Sequence, residues 1–404
     1  MNGRPDKDRF RFQIHVSCNP YVLCNSEFSR VVQVFRDWTM QREIAFDCRF
    51  FLGDRPCSWH KQENALCTCE HYSTIRERIL IIKLDAMGDV LRTTTLLPAL
   101  AEVHPDATFT WITRPESLPL LANNPYLSEI VPFGSEALSL LLTRSFDRVI
   151  NLDAGKVSAE LATLAKGSRK DGFVLSPTGN VTPTNEAARA WLEMGLFDDL
   201  KKKNTRTYQD CMAEILGLTT VRSQYVLKLT EIEWNQAGAH LERLGVDRGI
   251  PIVGLNTGAG ERWPLKQWRL DGYADLIHRL YEALGVQVLL LGGPAERGRH
   301  EYLMRKVLVP VFDSGNDNSL RHFAALVGHC NALVSGDTLA MHVALALDRR
   351  VVVLFGPTSA AEIELYGLGE KIVPQMECLV CYKAGCNFVP NCMDLQCGNG
   401  RSGR

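Results

Sequence analysis

The chain has almost no net charge: 45 Lys and Arg face 46 Asp and Glu, a formal charge of −1. A binder of a polyphosphate backbone carries a basic surplus, so nucleic acid is not an expected partner. No apolar run reaches the ~18 residues of a membrane span. The opening MNGRPDKDRFRFQIHV has no apolar core behind its charges and does not read as a secretory signal. Together these absences make the cytoplasm the expected location. No low-complexity segment or short-period repeat is present. No G-x-G-x-x-G follows the first apolar run, which argues against a dinucleotide oxidoreductase.

What is present is an ordinary globular composition, 46% hydrophobic and 23% charged. At roughly 150 residues per domain, 404 residues suggest two domains plus something extra. Cysteine is plentiful and uneven. Six of the 13 precede Ile79 (Cys18, Cys24, Cys48, Cys57, Cys67, Cys69) and five follow Pro374 (Cys378, Cys381, Cys386, Cys392, Cys397). In a reducing compartment, clustered cysteines more often mean metal than disulfide. Cys378, Cys381, Cys386 and Cys392 read C-x2-C-x4-C-x5-C, compact enough for one ion. Cys48, Cys57, Cys67 and Cys69, with His60, form a less regular second set. Zinc at either end would be structural, because a chemical role needs an open position at a cleft. An iron–sulfur cluster or unligated thiols are the alternatives.

Two segments dominate the middle: ILIIKLDAMGDVLRTTTLLPAL at 79–100 and LVSGDTLAMHVALAL at 333–347. Each is an apolar run, a turn with Gly and Asp, then a helical pattern, the place where nucleotide-binding folds hold their ligand. Around the first, strands are expected at 79–84, 108–113 and 147–152, with helices at 89–103, 135–144 and 157–166. Around the second, strands are expected at 251–256, 286–291, 331–335 and 350–354, with helices at 266–284, 295–307, 319–327 and 338–347. Continuous apolar runs fit strands covered on both faces, and the alternation implies parallel sheets with right-handed crossovers. The expected fold is α/β: two Rossmann-like domains facing a cleft, 78–247 and 248–377. A Cys-containing extension (1–77) and a Cys-rich tail (378–404) flank them.

Gly88 permits a tight turn, and Asp89 then stands at the positive end of a helix, where it stays ionised. An ionised carboxylate at a cleft can take a proton from an attacking hydroxyl, yet Asp is equally a plain N-cap. Lys83 reads as a strand-end charge, and Thr93, Thr94 and Thr95 as core or polar face. Ser335, Gly336, Asp337 and Thr338 open the second helix, whose N–H groups suit a pyrophosphate. His342 shares a face with Thr338, although a lone His in an apolar helix is usually core. Thr257 lies in NTGAGERWP (256–264), where small residues allow close backbone approach and Arg262 offers a fork of donors. Glu296, in LLGGPAE, could accept from ribose hydroxyls or cap the following helix. FGPT at 355–358 closes the next strand.

The segments KLDAMGDVLRTTTLLPALAEVHPDATFTWITRP, NPYLSEIV, FDRVINLD, GERWPLKQW, LGGPAE, VSGDTLAMHVALALDRRVVVLFGPT and CLVCYKAGC, in that order from about Arg78 to Cys392, resemble glycosyltransferase family 9. These are the ADP-heptose:lipopolysaccharide heptosyltransferases and their relatives. The resemblance implies a GT-B fold and an inverting, metal-independent transfer without a catalytic cofactor, and the lack of an Asp-x-Asp in the body agrees. It implies a nucleotide-sugar donor, ADP-heptose, on the C-terminal half. The acceptor would be a lipopolysaccharide core or other surface glycolipid on the N-terminal half, with peripheral contact at the inner membrane face. By motif, Asp89 matches the general base. Asp337, Thr338 and His342 match the donor loop, and Glu296 the ribose contact. Thr257, Arg262, Ser335 and Gly336 complete the expected donor set. Three positions depart from the family pattern: Asp85-Ala86 for a small polar pair, Glu261 for a Lys, and Leu339 for a Gly. The competing readings are a sugar-nucleotide epimerase of similar architecture and a metal-binding interaction protein with a decayed transferase core.

Overall fold

A computed structural model of the chain describes residue 32 and residues 44–219, 223–260, 264–383 and 385–397. Cys18, Cys24, Glu261 and Arg262 lie outside the described residues. The chain divides into two compact units, Met1–Thr74 and Ile75–Arg404.

The described part of the first unit is sparse in regular structure. One helix, Ser58–Glu63, is capped by the Cys57 sulfur, which accepts the His60 N–H. Trp59 stacks on His71 with ring centroids 3.8 Å apart, and a single β-bridge joins Cys48 to Thr74.

The second unit holds two six-stranded sheets. The first contains β1 (Glu77–Ile82), β2 (Ala107–Thr113), β3 (Glu129–Pro132), β4 (Ser145–Asn151), β5 (Lys166–Leu175) and β6 (Val181–Pro183), in the order β3-β2-β1-β4-β5-β6. Only the β5–β6 pair in it is antiparallel. The second contains β7 (Ile252–Asn256), β8 (Gln287–Leu291), β9 (Phe312–Asp313), β10 (Ala332–Gly336), β11 (Arg350–Leu354) and β12 (Gly369–Ile372), in the order β12-β11-β10-β7-β8-β9, all parallel.

Side chains alternate between the faces of a strand. In β1, Ile79 and Ile81 pack with Leu97, Phe109 and Trp111, while Leu80 and Ile82 pack with Ile112, Leu141 and Val149. In β8, Leu289 and Leu291 join one core, and Val288 and Leu290 the other. Two covered faces explain why these strands are apolar without a break. At about 1.5–3 kcal/mol per fully buried aliphatic side chain, each such strand is a strong local anchor.

The helix expected over 89–103 differs. It begins at Met87, tightens into a 3-10 turn at Thr94–Leu96, and resumes at Leu97–Val103. The cause lies in its threonines and a proline. Thr93, Thr94 and Thr95 hydroxyls donate back to the carbonyls of Asp89 (2.6 Å), Leu91 (2.6 Å) and Arg92 (2.8 Å), and Pro98 lacks an N–H for the helical ladder. All three threonines are buried.

Strand order reverses between β1 and β4 and between β7 and β10, so each sheet has a crevice at the carboxyl ends of those strands. Residues from both crevices line one cleft of about 920 Å³. The tail reaches the same place. Val380 and Tyr382 donate backbone N–H bonds to Gly356 and Pro357 (3.2 and 2.9 Å), and Tyr382 lines the cleft. Met393 joins the core around Trp268 and Leu354. Val380, Tyr382, Cys392 and Met393 thus anchor the tail on the second sheet's domain.

Candidate active site

The first edge is set by charge. Lys83 stands directly after β1, a strand-end charge as expected, but it is buried and forms a close ion pair with Asp153, just beyond β4. Burial works against its charge, but Asp153, with help from Tyr208 and Asp89, more than restores it, and its pKa is raised. Asp153 also accepts the N–H groups of Leu84 (2.5 Å) and Asp85 (3.2 Å), fixing the start of the turn. Ala86 then adopts φ 45°, a left-handed value that costs an alanine about 1–2 kcal/mol.

Helix Met87–Thr93 follows, and its N-cap is Ala86, with no side-chain capping bond. Asp89 is therefore the third helical residue and not the cap. Its carboxylate meets Arg92 Nη2 at 2.9 Å. Burial opposes its ionisation, yet Arg92, Lys83 and His342 outweigh that, and its pKa falls below the ordinary 3.8. Asp89 is charged at neutral pH. Gly88 is required by packing: a Cβ there would come within 2.7 Å of the His342 ring. No side chain fits between the two domains at that point.

The second edge is set mainly by neutral groups. Asn256 Nδ2, at the end of β7, reaches the Gly258 carbonyl (3.0 Å), Ser335 Oγ (3.2 Å) and Thr338 Oγ1 (3.3 Å). Ser335 and Thr338 hydroxyls are 2.9 Å apart. Thr338 is the N-cap of helix Leu339–Ala346, but its hydroxyl caps nothing, leaving first-turn N–H groups without a side-chain partner at the cleft. Gly336 has no room for a side chain, since a Cβ would lie 2.9 Å from the Lys266 carbonyl oxygen. Lys266 Nζ donates to both the carboxylate (2.8 Å) and the carbonyl (2.9 Å) of Asp337. Burial alone would raise the Asp337 pKa, but Lys266 above all brings it down to about 2.

The Glu296 side chain does not cap the helix Arg297–Lys306 that follows it, but binds back into the turn before it. Oε2 accepts the Gly293 N–H at 2.8 Å, closing the turn, while Oε1 is buried without a partner and lines the cleft. Thr257 Oγ1 is likewise buried and unpartnered. His342 is buried in the cleft wall with Nδ1 2.9 Å from the Tyr225 hydroxyl. Burial first, then Arg92, push its pKa down to about 4, so it is neutral at pH 7.

Of the expected site residues, Asp89, Glu296, Asp337, Thr338 and His342 line the cleft, with Thr257, just after β7, and Ser335 and Gly336, the last residues of β10, buried beside it. Arg262 falls outside the described residues. Sequence reasoning missed Arg92, Asn256, Lys266, Glu362 and Tyr382, which also line the cleft. Arg92 had a signal, three residues from Asp89 on one helix face. Glu362 is buried, which raises its pKa despite Arg92 nearby, and the Tyr382 hydroxyl donates to it at 3.4 Å.

Burial and the neighbouring Cys381, Cys378 and Cys386 push the Cys392 thiol up to about 11, so the four tail cysteines share one neighbourhood. Among the described residues, however, no three His, Cys, Asp or Glu side chains are arranged to hold one metal ion, in the tail or around Cys48, Cys57, Cys67 and Cys69.

The family model for glycosyltransferase family 9 (heptosyltransferase) matches residues 138–391, more than half of the chain. The chain belongs to glycosyltransferase family 9. Among curated family 9 relatives, it is 22% identical over 298 residues to lipopolysaccharide heptosyltransferase 2 of Escherichia coli, covering 70% of this chain and 83% of the relative. It is 24% identical over 332 residues to lipopolysaccharide heptosyltransferase 1 of Pseudomonas aeruginosa, covering 78% and 88%. The fold matches that of a family 9 glycosyltransferase from Veillonella parvula with a TM-score of 0.60 at 20% identity, covering 73% of this chain and 85% of the other. It also matches E. coli ADP-heptose lps heptosyltransferase II with a TM-score of 0.57 at 22% identity, covering 74% and 91%. This family 9 chain is thus an α/β glycosyltransferase of GT-B type. No helix among its described residues is long and apolar enough to cross a membrane.

Proposed function

We propose that the protein transfers heptose, with inversion, from ADP-heptose to a lipopolysaccharide inner core or a similar surface glycolipid. The names of its relatives support the sugar and acceptor. The observation that carries the reading is one cleft with an ionised carboxylate on one wall, Asp89, and unfilled polar valences on the other, Glu296 Oε1 and the N-terminus of helix Leu339–Ala346.

In this reading Asp89 accepts the acceptor hydroxyl proton as the oxygen bonds to the anomeric carbon from the face opposite the diphosphate. The bond from that carbon to the diphosphate breaks, and the leaving group keeps the electron pair. Lys266, with one N–H beyond its two bonds to Asp337, and the helix N-terminus bind the departing charge, and Arg262 is a second cation for it. Glu296 Oε1 takes a ribose hydroxyl. Thr257, Ser335, Gly336 and Thr338 shape the phosphate loop, and neutral His342 faces the sugar. No metal is assigned to the chemistry. A membrane-bound acceptor would bring the enzyme to the cytoplasmic face of the inner membrane as a peripheral visitor.

The experiment is incubation with ADP-heptose, with and without lipid A–inner core acceptor. ADP release that depends on acceptor, with an inverted linkage by NMR, is expected. The epimerase reading gains a second cleft acid in Glu362; changed heptose stereochemistry in the absence of acceptor would favour it. A structural zinc on Cys378, Cys381, Cys386 and Cys392 rests on their spacing, and elemental analysis of protein prepared without chelators should find about one ion per chain. Neither zinc nor iron would leave the cysteines as a set of thiols without a metal.

A further inference from the structure

Arg92 stands one turn beyond Asp89 in the cleft wall and takes no part in the donor edge. Its Nη2 lies 2.9 Å from Asp89 Oδ1, and its guanidinium carbon lies 3.8 Å from the centre of the Tyr208 ring. Tyr208 is fully buried and held from three sides. Its hydroxyl meets the Thr93 hydroxyl at 2.7 Å, and Trp191 packs edge-on at 5.6 Å. Its backbone N–H donates to the Glu362 carbonyl at 3.0 Å, in the domain that carries the donor loops. Thr93 in turn donates to the Asp89 carbonyl at 2.6 Å. A planar guanidinium stacked on a fixed ring loses little freedom when it binds a carboxylate.

The geometry points to Arg92 as the positioning residue for Asp89: stacked on Tyr208, it holds one carboxylate oxygen and leaves the other to face the acceptor hydroxyl. The tie from Tyr208 to Glu362 makes that aim depend on the seating of the donor domain. This inference rests on the reading of Asp89 as the base.

Asp89 is faced by Arg92 on its own helix, Lys83 beyond β1, Tyr208 and Tyr225, and His342, Asp337 and Glu362 from the domain of the donor loops. Lys83 is already bound to Asp153, and His342 is neutral. Removing Arg92 therefore lets burial prevail, and Asp89 should hold its proton to higher pH.

Arg92→Met, Arg92→Lys and Asp89→Asn are compared with the wild type. In Arg92→Met, kcat should fall about 10²-fold with the donor KM unchanged, a loss of the size that misplacing a reacting group brings. The acid limb of kcat should move to higher pH, and Arg92→Lys should return part of both. Carbon-13 NMR of labelled Asp carboxyl groups, with the Asp89 signal assigned by its loss in Asp89→Asn, should show the same upward shift without any turnover. Calorimetric ADP binding and the melting temperature separate misfolding from misplacement; if the Met variant does not fold, the Lys variant carries the test with an intermediate shift. An unmoved acid limb and an unmoved Asp89 titration, beside an inactive Asp89→Asn, would overturn the role of Arg92 alone. Normal turnover by Asp89→Asn would instead remove the base reading beneath it.

Discussion

The two edges of the cleft are built on opposite plans. At the first, the charges answer one another within the domain: Lys83 with Asp153 and Arg92 with Asp89. At the second, a mostly neutral amide and hydroxyl network of Asn256, Ser335 and Thr338 is joined by one ion pair, Lys266 with Asp337. Polar atoms there remain without partners, on Thr257 and Glu296. At the first edge Arg92 Nε is also buried without a partner, but the charges are paired, which suits that edge to hold one reactive group in a fixed state. The second has valences that a ligand can fill. A buried charge with its partner removed is costly, whereas an unfilled hydroxyl awaiting a ligand is a smaller and recoverable deficit.

If that contrast is right, breaking a pair at the first edge should hurt folding, and breaking a contact at the second should hurt binding. Asp153→Asn strands the buried Lys83 and should lower stability by about 3–5 kcal/mol in denaturant unfolding. A loss below about 1 kcal/mol would mean that the lysine reaches water.

Acid should expose the contact between the edges. His342 has a folded pKa near 4, against 6.5 unfolded. The unfolded chain therefore takes the proton first, and the stability due to neutral His342 is present above 6.5 and lost as pH falls from 6.5 towards 4. Asp337, lowered to about 2 from 3.8, contributes stability above 3.8 that is lost as pH falls towards 2. His342→Gln should flatten the higher of these two slopes, by on the order of 3 kcal/mol across the window. An unchanged pH–stability curve would mean that His342 is solvated.

Gly88→Val places a side chain where a Cβ already lies 2.7 Å from the His342 ring. Turnover should fall about 10²-fold through displacement of the two edges. Activity restored by the further change His342→Ala would sharpen the point, and undiminished activity in the single variant would refute it. The smallest effect should come from Glu296→Gln. Its Gly293 bond can persist through the amide oxygen, while the donor KM rises about tenfold with kcat nearly spared, the size of one hydrogen bond to a charged group. A fall in kcat instead would place Glu296 nearer the chemistry.

How much of this was legible depended on whether the signal was local. The buried strands β1, β2, β4, β7, β8, β10 and β11 were legible because two covered faces force unbroken apolar runs. Half-polar β5, KGSRKDGFVL, and two-residue β9 carry no such pattern. Asp89, Asp337 and His342 were legible because each follows a strand and opens or lines a helix. Lys266 and Asn256 were not, because the Lys266 partner Asp337 lies 71 residues away and the hydroxyls that Asn256 binds, on Ser335 and Thr338, lie 79 and 82 residues away, reached only through the fold. Glu362 and Tyr382 stand in irregular segments, and Tyr382 is delivered by a tail whose cysteines drew attention away from it. The break at Thr94–Leu96 was visible in principle: three threonines before a proline disfavour an unbroken helix.

The central claim is that Asp89 is a base held ready on the first edge while the second edge alone holds the donor. Asp89→Asn, assayed for heptose transfer and for ADP affinity by calorimetry, tests it most directly. Transfer should fall by about 10²–10⁴-fold with ADP affinity unchanged. Transfer within a few-fold of wild type, or ADP binding lost together with it, would contradict the division of labour between the two edges.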